Sequence, residues 1–119
     1  MAIERDDRPW GYYEVVDVAE TFRVKRICVR AGQRLSYQRH AQRSEHWYVV
    51  AGAGVATIDG VDRRLEPGST VDIPVGTAHR VASNDDVDLV FVEIQTGAYF
   101  GEDDIERLDD DYGRQITEG

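Results

Sequence analysis

Turn residues cut this chain into short apolar runs at near-regular intervals, and no run carries a sustained helical period. The runs read as strands over 10–16, 21–30, 35–40, 46–51, 55–58, 61–65, 70–73, 78–82 and 87–95. In the second, Phe22, Val24, Ile27 and Val29 are the apolar members. Asp59-Gly60 is a strong tight-turn dipeptide, Glu66-Pro-Gly68 turns again, and Gly52-Ala-Gly54 reads as a hairpin turn between two adjacent runs. Many short strands between such breakers specify an all-β sandwich or small barrel. Residues 1 to 8 are charged and read as loose, and Glu102 to Leu108 reads as a short helical turn.

At 119 residues the chain is long enough for one core, so one domain is expected over 1–119, with the core at about 9–97 and a C-terminal arm at 98–119. A formal net charge of −9 argues against nucleic acid and against an anionic membrane surface. No apolar run approaches a membrane span, and no signal-peptide pattern follows Met1, so a soluble cytoplasmic protein is expected. The single cysteine, Cys28, fits a reducing compartment and reads as a small buried hydrophobe.

Four residues have the types and spacing of a metal site. Gln38 and His40 are two apart, so on a strand they share a face. Glu45 follows after a short polar turn, and His79 lies on a later strand. Imidazole, carboxylate and amide oxygen together suit one borderline divalent ion: zinc first, with cobalt, manganese, iron or nickel as alternatives. The competing reading is a set of satisfied polar groups inside a barrel that has lost its metal. His46 is adjacent to Glu45, so it faces the other way and reads as structural or interfacial.

These residues lie in longer segments: Arg8-Pro-Trp-Gly-Tyr12, Gln38-Arg-His40, Glu45-His-Trp47, Ile73-Pro-Val-Gly-Thr-Ala-His79, Gly101-Glu-Asp-Asp-Ile105 and Asp111-Tyr-Gly-Arg114. Together they resemble the cupin domain of the bacterial type II phosphomannose isomerases, over nearly the whole chain. The resemblance implies a double-stranded β-helix, jelly-roll-like, paired as a homodimer. It implies a metal-dependent mannose-6-phosphate isomerase, interconverting an aldose and a ketose sugar phosphate in polysaccharide precursor metabolism. Family members usually carry a guanylyltransferase domain ahead of the cupin, and none is expected here. They also usually read Gln-x-His-His-His-Arg where this chain has Ala41 and Gln42 before Arg43. That departure supports a second reading, a non-catalytic sugar or sugar-nucleotide binding cupin. A third is another metal-dependent cupin enzyme, such as an oxygenase.

An aldose–ketose isomerase needs a proton carrier near the reacting carbons and cations for the phosphate. Glu93 is the catalytic base candidate if the face it shares with Leu89 and Phe91 lines the interior; otherwise it is a surface residue. Arg43, beside the ligand turn, is the first candidate for phosphate or developing negative charge. Lys25, the only lysine, alternates with Ile27 and Val29 and is either a pocket contact or a snorkelling residue. Arg114 either folds over the opening to bind substrate or is a solvated tail residue. Trp10, Tyr12, Tyr13, Trp47 and Tyr48 are ranked as packing residues before sugar platforms. The acids from Glu102 to Asp111 read as a solvated arm, with docking near the pocket as the alternative.

Overall fold

The computed structural model describes residues 4–114. Among them every regular element is a strand. β1 (Glu4–Arg8), β2 (Gly11–Val18), β3 (Phe22–Val29), β5 (Arg43–Ala51), β8 (Thr70–Ile73) and β10 (Leu89–Gly97) form one sheet, in the order β1-β2-β3-β10-β5-β8. β4 (Tyr37–Arg39), β6 (Gly54–Ile58), β7 (Val61–Leu65), β9 (His79–Ser83) and β11 (Glu106–Asp109) form the second, in the order β11-β4-β9-β6-β7. All pairings are antiparallel, and the chain passes repeatedly from one sheet to the other. This is the two-sheet all-β architecture expected from the turn spacing.

Strand alternation decides what faces the interior. On β10, Leu89, Phe91, Glu93 and Gln95 are buried, while Val90, Val92 and Ile94 face outward. On β3 the inward set is Lys25, Ile27 and Val29, and on β5 it is Arg43, Glu45, Trp47 and Val49. The register aligns these sets. Leu89 lies opposite Val29, Phe91 opposite Ile27 and Val49, Glu93 opposite Lys25 and Trp47, and Gln95 opposite Glu45. One end of the interior is therefore apolar and the other is polar. The apolar end packs against Ala56, Leu65 and Val81 of the second sheet. Trp47 stacks on Phe91 with ring centroids 4.9 Å apart at the boundary between the two ends.

Three sequence expectations are corrected. Residues 4–8 are not loose: they pair with β2 along their length, and the Tyr13 hydroxyl donates to Asp6 at 2.8 Å. Residues 1–3 of the expected loose segment lie outside the described residues. Gly52-Ala-Gly54 does not close a hairpin. β5 already has β10 on one edge and β8 on the other, so the chain must leave that sheet, and β6 pairs with β7 and β9 instead. The helical turn expected over Glu102 to Leu108 is replaced by a bend and then β11. The outer edge of β4 would otherwise be bare, and β11 covers it, helped by a two-bond Arg39–Glu106 ion pair at 2.6 and 2.9 Å. Asp59-Gly60 does form the expected tight hairpin, with φ of 48° and 77° at the two positions.

The crossing at Gly52 tests this topology. Its φ is +84°, and a Cβ there would sit 1.9 Å from the Asp88 carbonyl oxygen. Gly52→Ala should lower the unfolding free energy by about 2–3 kcal/mol, because both strain and a backbone clash arise. Urea unfolding measures it, and an unchanged midpoint would contradict the crossing geometry.

Candidate metal centre

The polar end of the interior is a cavity. Every residue expected from sequence to form the site lines it: Gln38, His40, Glu45, His79, Glu93, Arg43, Lys25 and Arg114. They come from both sheets. Glu45 and Arg43 lie on β5, Glu93 on β10 and Lys25 on β3; Gln38 lies on β4, beside His79 of β9 in register. His40 follows the last paired residue of β4.

His40, Glu45 and His79 each offer one donor atom, and these atoms lie within 4.8 Å of one another. Glu45 reaches His40 Nε2 at 3.3 Å through Oε2, and His79 Nε2 at 3.6 Å through Oε1. Tetrahedral zinc, with bonds of about 2.0–2.1 Å, spaces its donors roughly 3.3–3.4 Å apart. Both rings are turned for such a role. His40 Nδ1 donates to the Asp104 carbonyl at 2.5 Å and His79 Nδ1 donates to the Thr77 carbonyl at 2.9 Å, which turns each Nε2 toward the cavity, where that of His40 is met by Arg43 Nη2 at 3.3 Å. His79 Nε2 is buried and has no hydrogen-bond partner, which is the feature that best fits a cation. Gln38 Oε1 accepts from Ser36 Oγ at 3.2 Å and keeps its second lone pair. The donor set fits one divalent ion.

The charges around this set are tightly interlocked. The Trp47 indole N–H lies 3.1 Å from Glu45 Oε1 and 3.1 Å from Glu93 Oε2, so one donor serves two carboxyls. Gln95 donates to the other oxygen of Glu93 at 2.6 Å. Arg43 donates through Nε to Glu45 at 3.1 Å, and its Nη2 lies 3.3 Å from His40 Nε2. Burial pushes the Glu93 carboxyl up to about 8, and the neighbouring Glu45 charge pushes the same way. Burial also opposes ionisation of Glu45, but the charges of His79, His40 and Arg43 overcome it and hold that carboxyl well below the usual range. Burial lowers His40, so Arg43 supplies the charge that persists at neutral pH. Lys25 is 3 % exposed, binds Glu102 at 2.5 Å and sits 4.0 Å from the Tyr13 ring centroid.

Sequence reasoning missed several members of this cavity. Arg8, Arg107 and Glu102 also line it, with Tyr13 and Trp10 on its wall. Arg8 stands in the Arg-Pro-Trp-Gly segment, at the end of the stretch that its charge makes look loose. Arg107 sat in the misread helical turn. Arg114 is no solvated tail residue: it lines the cavity, held by Asp110 at 2.7 Å. The acidic arm docks, with Asp104 only 8 % exposed. Ala41 and Gln42 are exposed, and neither lines the cavity. His46 faces outward beside Asp72, at 2.6 Å, as its parity with Glu45 required.

With this geometry in view, the comparisons are specific. The family described as mannose-6-phosphate isomerase C-terminal matches residues 3–110. Alginate biosynthesis protein AlgA of Pseudomonas aeruginosa is 47% identical over 107 residues, which cover 90% of this chain and 22% of that protein. Mannose-1-phosphate guanylyltransferase of Salmonella montevideo is 45% identical, with 90% and 23% covered. The chain thus spans less than a quarter of the length of these curated relatives. Among solved structures, the capsular polysaccharide assembling protein CapF of Staphylococcus aureus superposes with a TM-score of 0.80 at 19% identity, covering 92% of this chain and 33% of that one. A cupin protein of Bacteroides fragilis gives 0.62 at 25% identity, covering 71% and 72%. The fold is that of the cupins, a double-stranded β-helix.

The Glu93 environment has a measurable consequence. Folded, Glu93 keeps its proton up to about pH 8; unfolded, it ionises near the ordinary carboxylate value. Between those limits folding takes up a proton, so this group's share of stability falls as pH rises toward 8 and is level above it. In metal-free protein, the urea midpoint should drop between about pH 6.5 and about pH 8.5 by more than it does in Glu93→Gln. Equal drops would show that Glu93 ionises normally.

Proposed function

Because the chain belongs to the mannose-6-phosphate isomerase C-terminal family and has the cupin fold, we propose that it is a metal-dependent isomerase interconverting mannose 6-phosphate and fructose 6-phosphate. The observation that carries the substrate class is the cation cluster at the cavity opening. Arg107 is held below its ordinary pKa by burial first and by the charge of Arg114 next, with Arg8 adding to the repulsion. Its Nε is buried without a hydrogen-bond partner. Cations crowded in this way are suited to a dianionic phosphate, which arginine binds through paired N–H donors. The cavity has a volume of about 90 Å³, well above what a single water needs.

In this reading Gln38, His40, Glu45 and His79 hold one divalent ion, zinc first, which supplies Lewis-acid polarisation of the sugar oxygens when bound. Glu93 carries the proton between the two neighbouring carbons. A pKa of about 8 leaves it exchangeable near neutral pH, as a proton carrier requires. Arg43 and Lys25 face the same space and balance negative charge as it develops. Arg8, Arg107 and Arg114 anchor the phosphate at the opening. Ala41 and Gln42 are exposed and do not line this cavity, which supports turnover over a binding-only cupin.

A relative named for alginate biosynthesis supports a role in polysaccharide precursor supply, and we assign the protein to the cytoplasm, where sugar phosphates are made and the lone Cys28 stays reduced. We expect a homodimer through the outer face of the six-stranded sheet, where Tyr48, Val50 and Ile94 are exposed; a monomer mass by light scattering would overturn this.

A coupled assay for fructose 6-phosphate tests the activity. Stripped protein refilled with Zn²⁺, Co²⁺, Mn²⁺ or Fe²⁺ should turn over mannose 6-phosphate, and His79→Ala should abolish turnover. Arg107→Gln should raise KM roughly ten- to a hundredfold through loss of a charged hydrogen bond. No turnover with any metal would leave a sugar-binding module or a cupin enzyme for another substrate.

A further inference from the structure

His40 differs from the other two close donors in how its backbone is held. Glu45 lies within β5, paired on both edges, and His79 begins β9 with its ring held by Thr77 two residues away. His40 lies just beyond β4, a strand of three residues. Its ring is held by a residue far along the chain. Asp104 accepts the His40 Nδ1 hydrogen bond through its carbonyl at 2.5 Å. The Asp104 carboxylate also accepts the Ala41 N–H through Oδ1 at 2.9 Å and the Gln42 N–H through Oδ2 at 3.0 Å.

We propose that Asp104 is the positioning residue of the metal centre, clamping the 40–42 turn so that His40 Nε2 is held at the metal position. This rests on the metal-binding reading above. A carbonyl contact alone would let ring and arm shift together relative to the cavity. The two carboxylate bonds remove that freedom, because they tie the same turn at the next two peptide units. Both carboxylate oxygens are engaged with backbone N–H groups, so Asp104 acts through His40 and is no ligand. The clamp uses backbone donors of Ala41 and Gln42 and makes no demand on their side chains. The arm has its own attachment through β11 and the Arg39–Glu106 pair, so removing the Asp104 carboxylate leaves it docked. Loosening a metal-bound histidine by removing its outer partner weakens metal binding typically ten- to a hundredfold.

The test uses Co²⁺ as probe on the full chain, with wild type, Asp104→Ala, Asp104→Asn and Glu106→Gln. Affinity is read by chelator competition, the ligand field by visible absorption, and folding by melting of the metal-free protein. Asp104→Ala should bind Co²⁺ ten- to a hundredfold more weakly, with altered absorption bands. Asp104→Asn keeps one acceptor oxygen and should fall between it and wild type. Glu106→Gln should keep wild-type affinity and bands even where it lowers the melting temperature. Wild-type affinity and bands in Asp104→Ala would overturn the positioning role. The same bands and affinity loss in Asp104→Ala and Glu106→Gln would overturn it too, leaving a merely structural arm. Failure of wild type to bind Co²⁺ would remove the metal reading itself, and the proposal with it.

Discussion

One indole N–H, that of Trp47, stands between two buried carboxyls, and the inside of this barrel is organised around that arrangement. Two ionised carboxylates cannot share one neutral donor in a dry interior without cations beside them. The molecule meets the constraint in two ways. Arg43 sits against Glu45 and keeps it ionised, while Glu93 is pushed toward its protonated form. The outcome is one carboxylate available as a ligand and one carboxyl able to exchange a proton. Environments that drive two acids apart in this way are how a site assigns them separate roles. Trp47 also closes the apolar half of the interior against Phe91, so the residue that divides the two acids also divides core from site.

That division follows from strand alternation carried across an aligned register. β3, β10 and β5 each place apolar side chains inward at one end and polar ones at the other, and their pairing brings the polar ends together. The same strand that anchors the core therefore delivers its functional residue with little added freedom. Glu93 is two residues from Phe91, which is fully buried, and Glu45 is two residues from Trp47. Sites built on paired strands hold their geometry more closely than sites on loops. The second sheet supplies what the first cannot: imidazoles at short strands, each ring oriented by a backbone carbonyl at Nδ1.

Much of this was legible in the sequence because it depends on parity. Gln38 and His40 two apart, Glu45 and His46 adjacent, and Lys25 with Ile27 and Val29 all follow from period two alone. Glu93 was ambiguous for the same reason. Both faces of its strand carry apolar residues, so parity could group its side chain with Phe91 but could not say which group lay inside. What escaped the sequence depends on contacts between distant segments. Gly52-Ala-Gly54 looks like a hairpin unless it is known that β5 is already paired on both edges. Ile105 and Leu108 are spaced as in a helix, and only the bare edge of β4 makes a strand the better solution there. Arg8 and Arg107 lay in the two segments misread as loose chain and helical turn, so their convergence on one cavity was hidden with those segments.

The two halves of the ligand motif, read alone, would place the chemistry between Gln38 and His79. The cavity's lining extends well outside that span. The opening of the cavity is lined by Arg8 from β1 and by Arg107 and Arg114 from the arm, while Glu102 of that arm holds Lys25. The arm has no apolar core of its own and stays in place through ion pairs, strand pairing with β4, Tyr112 packed against the hydrophobic core, and backbone bonds near His40. Where Asp104 meets the 40–42 turn, the placing of the arm and the arrangement of the ligand set are coupled: whatever fixes one lowers the cost of fixing the other. In the proposed isomerase, an anion bound at Arg107 and Arg114 would act on the same segment that steadies His40. A phosphate-bearing ligand would in this way tighten the centre from the far side of the cavity. In the proposed reaction that would couple recognition of the phosphate to the geometry at the reacting end of the sugar, a use of remote binding energy on a small, flexible substrate.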